Sequence, residues 1–128
     1  MKPRVAVCPG SILRLSALLA TVAAAAPAAA HSELRGSVPA AGAALDCAPT
    51  QIELQFNEGV QLTALRLHRV DGAEIDLPRR PIREARAEII ALPPLEPGDF
   101  RAEWRIISAD GHAVGGVIPF SVARACRP

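Results

Sequence analysis

The chain has 128 residues, with 14 Lys and Arg against 13 Asp and Glu, three His, three Cys, one Met, one Trp and no Tyr. A net charge of +1 offers no electrostatic footprint for nucleic acid. The scarcity of aromatic rings leaves nothing for a flat stacking surface of the kind a sugar polymer needs.

Residues 1–30 read as a targeting segment to be set apart from the fold. Lys2 and Arg4 form a positive start, residues 15–26 are almost wholly apolar, Pro27 breaks the helix, and Ala28-Ala29-Ala30 is a small-residue cleavage pattern. The run is too short and too Ala-rich for a spanning helix, which needs about 20 apolar residues. Cleavage of this helical signal peptide after Ala30 is expected to leave a soluble, exported domain, residues 31–128, in the periplasm. Without the leader's three basic residues, eleven arginines face thirteen carboxylates, a net charge of −2. That length suits one domain.

From residue 31 onward the apolar period is two. Residues 34–39 read as an edge strand ending at Pro39. Ile52, Leu54 and Phe56 alternate with Glu53, Gln55 and Asn57, the pattern of a half-buried strand. Leu65 and Leu67 alternate with Arg66 and His68 in a further strand, and Asp71-Gly72 offers a hairpin turn before Glu74-Ile75-Asp76-Leu77. Residues 78–86, with four arginines, read as a solvated loop, and residues 88–92 as a short apolar strand. After the turn-rich residues 93–98 comes the clearest strand, with Phe100, Ala102, Trp104 and Ile106 on one face and Arg101, Glu103, Arg105 and Ile107 on the other. Ile118, Phe120 and Val122 alternate in the last. About seven short strands and no amphipathic helix after residue 30 predict an all-β, antiparallel sandwich of immunoglobulin-like size, with Trp104 in its core.

Cys8 leaves with the leader. Cys47 and Cys126 remain, an even count in an oxidising compartment, which reads as one disulfide. Two free thiols, or a thiolate pair able to hold Cu(I), are the competing readings; no C-x-x-C spacing supports the latter.

Three histidines carry the chemistry. His31 would become the first residue after cleavage, so its α-amine and Nδ1 can chelate one metal ion together, a pair suited to the tetragonal nitrogen preference of Cu(II). Ser108-Ala109-Asp110-Gly111-His112 falls between two strong strands, hence in a loop at one end of the sandwich. There Gly111 supplies the turn, and Asp110 and His112 offer a carboxylate and an imidazole to the same ion. As an isolated tripeptide, Asp-Gly-His is equally an exposed turn. His68 fits a surface position on the polar face of its strand.

Four stretches together carry a resemblance: residues 31–40 (HSELRGSVPA), 54–58 (LQFNE), 97–112 (PGDFRAEWRIISADGH) and 116–120 (GVIPF). They resemble the CopC family of periplasmic copper-binding, copper-resistance proteins over essentially all of residues 31–128. The resemblance implies a Greek-key β-barrel or sandwich. It also implies one Cu(II) ion held by the His31 amine and imidazole with Asp110 and His112, and an inner-membrane CopD-like transporter as recipient of the metal. Glu58 stands where some members carry an acidic residue near copper; an axial role, an outer-shell role and a solvated strand end all fit it. One departure is plain: Met1 is the sole methionine, so the Met-rich Cu(I) site of some members has no thioether here. The expected function is therefore a non-enzymatic Cu(II) buffer or carrier. The competing readings are a copper-dependent oxidative enzyme of the lytic polysaccharide monooxygenase kind, which also uses an N-terminal histidine chelate, and a structural sandwich with incidental histidines.

Overall fold

The computed structural model describes residues 1–6, 10 and 32–126. The apolar run of the expected leader, the expected cleavage point and His31 lie outside the described residues. Among those described there is no helix, and hence none long and apolar enough to cross a membrane. The elements are β1 (Leu34–Val38), β2 (Ala43–Cys47), β3 (Gln51–Arg69), β4 (Glu74–Ile75), β5 (Glu84–Ala91), β6 (Gly98–Ile107) and β7 (Ala113–Arg124).

Hydrogen bonding runs in the order β1-β3-β6-β7-β2, with β4 and β5 also paired to β3. One strand serves both layers of the sandwich. The first part of β3 pairs with β1 and β5; its last part, from Gln61 to Arg69, pairs with β6, and Leu67 and His68 pair with β4. Bulges let it turn the corner, because an extra residue bends a strand and releases it from its ladder. At the second bulge Leu62 faces Ile106 and Ala64 faces Arg105, so Thr63 stands outside the ladder and its hydroxyl donates to the Arg105 carbonyl at 3.2 Å. One added residue flips the parity of everything after it. Accordingly, inward positions run 52, 54, 56, 60 and 62 before the bulge and fall on Leu67 after it.

This corrects the expectation of two separate strands around Ile52 and Leu65, since both belong to β3. Two further differences are local. β2 runs parallel to β7, the exception to an otherwise antiparallel pattern. The segment 78–86 is not wholly a solvated loop: β5 already begins at Glu84, and Glu88, 5% exposed, has Arg83 Nε 3.8 Å from its carboxylate.

The core is the alternation the sequence predicts. Phe100, Ala102, Trp104 and Ile106 of β6 and Ile118, Phe120 and Val122 of β7 are buried against Ile52, Leu54, Phe56, Leu62 and Leu67 of β3. Phe56 meets Trp104 edge-on at 5.7 Å, and Phe100 stacks on Phe120 at 5.3 Å. Trp104, 7% exposed, lies over Gly116, its partner in the ladder; a Cβ there would sit 2.7 Å from the indole. The glycine is what lets the ring pack flat on the backbone of β7.

Cys47 and Cys126 are joined, which removes the free-thiol and thiolate readings. The bridge ties the end of β2 to the residues after β7, closing a loop of 79 residues. In the chain-entropy account such a loop stabilises by about 4–5 kcal/mol. The double variant Cys47→Ser/Cys126→Ser is therefore expected to unfold at lower denaturant, with a loss of that size measured by equilibrium unfolding in urea.

Candidate metal centre

The turn from β6 to β7 is closed by short polar bonds. Ser108 N–H donates to the His112 carbonyl at 2.8 Å, and Gly111 N–H to the Ser108 carbonyl at 2.9 Å. Gly111 adopts φ +86°, the left-handed region that only glycine enters without strain. The Ser108 hydroxyl accepts from His112 N–H at 3.1 Å and is hydrogen-bonded to the Asp110 carboxylate. Asp110 Oδ1 also accepts from His112 N–H at 3.2 Å, and Oδ2 lies 2.8 Å from His112 Nδ1.

Two of the sequence-predicted ligands, Asp110 and His112, are thus in direct contact. Their side chains remain 41% and 77% exposed. A carboxylate on Nδ1 selects the tautomer whose Nε2 bears a lone pair, the arrangement that orients metal-binding histidines. The bond from Ser108, then those from the His112 ring and backbone, hold the Asp110 carboxyl well below the usual carboxylate range. Ser108 carries much of this geometry and was not singled out from the sequence. Its signal is a hydroxyl two residues before an aspartate in a tight turn.

The third sequence-predicted ligand, His31, is outside the described residues, but the next two residues are not. Ser32, 2% exposed, gives its hydroxyl to Glu58. Glu33 N–H donates to Asn57 Oδ1 at 2.8 Å, and Asn57 N–H donates to the Glu33 carbonyl at 3.1 Å. Gln61 and Ile107 are the first partners of the β3–β6 ladder on this side. Asn57 and Glu58 therefore continue β3 past the ladder, at the end of the sheet where residues 108–112 turn. Glu58 is attached to the N-terminal arm through Ser32. Among the described residues no three of His, Cys, Asp and Glu gather closely enough to hold a metal ion.

The other candidates lie elsewhere. His68 faces Arg101 in the ladder and has Glu103 at 4.0 Å, toward the opposite end of β6. The disulfide sits beyond the far end of β7, whose twelve residues span about 40 Å at ~3.4 Å each.

The CopC domain family model matches residues 34–123. The chain belongs to the CopC family. Among similar proteins, copper transport protein CutJ of Bacillus subtilis (strain 168) is 37% identical over 101 residues, covering 75% of this chain and 19% of that longer protein. Copper resistance protein C of Escherichia coli is 33% identical over 107 residues, covering 74% of this chain and 83% of it. The crystal structure of PcoC, a methionine-rich copper resistance protein from Escherichia coli, superposes with a TM-score of 0.59 at 30% identity, covering 72% of this chain and 98% of PcoC. CopC membership confirms the resemblance carried by the residues around Asp110 and His112, and with it the β-sandwich.

The Ser108 bond is expected to be measurable in isolation. In Ser108→Ala the Asp110 carboxyl should titrate closer to the ordinary range, followed by side-chain carbonyl NMR against pH. A carboxyl depressed in the folded state contributes stability above the ordinary carboxylate pKa and loses it as pH falls, so this contribution should shrink in the variant.

Proposed function

We propose that this protein binds one Cu(II) ion in the periplasm and acts as a copper buffer or carrier. The observation that carries the reading is the 2.8 Å contact of Asp110 Oδ2 with His112 Nδ1, which brings a carboxylate and an imidazole together on exposed side chains. His112 and Asp110 supply an imidazole and a carboxylate. His31, once it is the first residue, supplies an amine and a second imidazole. Glu58, bonded to Ser32 next to His31, takes an outer-shell role. Nitrogen ligands with one carboxylate suit Cu(II), and they also suit Zn(II) less selectively.

The relatives named for copper resistance and copper transport support copper as the cargo. With Met1 as the only methionine, the chain has no thioether set like that implied by the description of PcoC as methionine rich, so Cu(II) alone is assigned. A domain of this kind filling 19% of a copper transport protein supports a CopD-like inner-membrane transporter as the recipient. Binding and handing over an ion needs no catalytic group, and none is assigned.

The amine and both imidazoles must lose their protons to bind. Affinity is therefore expected to fall as pH drops through the histidine range, around 6.5. Protein beginning at His31 is compared with the same protein carrying one added N-terminal glycine, by competition with a Cu(II) indicator. The extension is expected to weaken binding by more than about tenfold, the scale at which even outer-shell losses register. Equal affinities would remove the N-terminal chelate from the site.

A further inference from the structure

A ligand carried on a chain terminus binds tightly only when the terminus is ordered beforehand, because ordering it on binding costs entropy. What orders this arm is the first bulge of β3. Between the pairs Gln55–Ala87 and Val60–Ala85, β3 uses residues 56–59 where β5 uses Arg86 alone. Phe56 stays in the core and pairs with Leu34 of β1, while Asn57 and Glu58 bond outward. Asn57 takes both polar groups of the Glu33 backbone, accepting from its N–H through Oδ1 and donating its own N–H to its carbonyl. The Asn57 carbonyl accepts from Arg86 Nη2 at 2.6 Å. Glu58 accepts from Ser32, and Glu84 lies across Gly59 so closely that a Cβ there would come within 2.6 Å of its carboxylate. The bulge thus faces the arm on one side and is braced by the start of β5 on the other.

Asn57 is the joint of this arrangement. Its side-chain oxygen, and no backbone group, receives the Glu33 N–H two residues from His31. An apolar residue would keep the backbone bond and lose this one. Resting on the Cu(II) reading above, we propose that Asn57, braced by Arg86, is a positioning residue: it fixes the arm that carries His31 before metal arrives, and so sets Cu(II) affinity without touching the ion.

The test uses protein beginning at His31, with variants Asn57→Ala, Asn57→Asp and Arg86→Met. Two readings are taken: Cu(II) affinity by indicator competition, and amide hydrogen exchange of metal-free protein at Glu33, with Trp104 as the monitor of the sheet. Asn57→Ala is expected to lose Glu33 protection and about tenfold or more in affinity, while Trp104 exchanges as before. Asn57→Asp, which keeps the Oδ1 acceptor, is expected to restore both. Arg86→Met is expected to move both the same way as Asn57→Ala, by less. If Asn57→Ala binds as tightly as the parent, whether or not Glu33 loses protection, the positioning role is overturned. Failure of aspartate to restore either reading in a folded variant overturns it as well. A parent protein that takes up no Cu(II) overturns the copper reading, and the proposal with it.

Discussion

β3 leaves one layer of the sandwich and enters the other, and the location of the candidate site follows from how it does so. A strand of 19 residues cannot stay in one twisted layer and still close a core of this size. It is broken twice by residues that the ladder does not use. At Thr63 the interruption shifts the inward parity, so that Leu67 points where Leu62 pointed before it. At residues 56–59 the larger interruption frees Asn57 and Glu58 from β5 and turns their bonding toward the N-terminal arm. Because the β3–β6 ladder begins only at Gln61 and Ile107, this freed segment and the turn at 108–112 stand at the same end of the sheet.

Two kinds of force divide the molecule between them. The middle is held by apolar burial, with Trp104 wedged between Phe56 and the bare backbone of Gly116. The ends are held by covalent or polar ties. At one end the disulfide closes β2 on the tail of β7. At the other, Ser108, Asp110 and His112 bond one another, and Ser32 and Glu33 bond Glu58 and Asn57. On the proposed copper reading, polar groups already held in a defined geometry spare part of the ordering cost at the moment of capture.

Much of this was legible in the residues. Ile52, Leu54 and Phe56, then residues 100–106, then Ile118, Phe120 and Val122, alternate cleanly because one face of each strand is buried. Asp71-Gly72 marks the hairpin, with Gly72 N–H bonded back to Arg69. Asp110 and His112 were legible as a pair because a turn residue separates them between two strong strands. What was not legible shares a physical cause. The unity of β3 is hidden by the parity change at Thr63, which makes one strand look like two. The parallel seat of β2 is hidden because Ala-Ala-Leu-Asp-Cys has little pattern of its own, and its place is set by β7 and the disulfide. In the sequence Asn57 reads as a polar position beside Phe56; its bond to Glu33 spans 24 residues, and no local pattern reports it.

On the proposed reading, His31 and the turn at 108–112 grip the same ion. Electron paramagnetic resonance of Cu(II) bound to protein whose first residue is His31 tests it directly, through the nitrogen couplings in the parent and in His112→Ala. Three coupled nitrogens in the parent (the His31 amine, the His31 ring and the His112 ring), with one lost in the variant, is the predicted result. A spectrum unchanged by His112→Ala would separate the arm from the turn and rule out a shared ion.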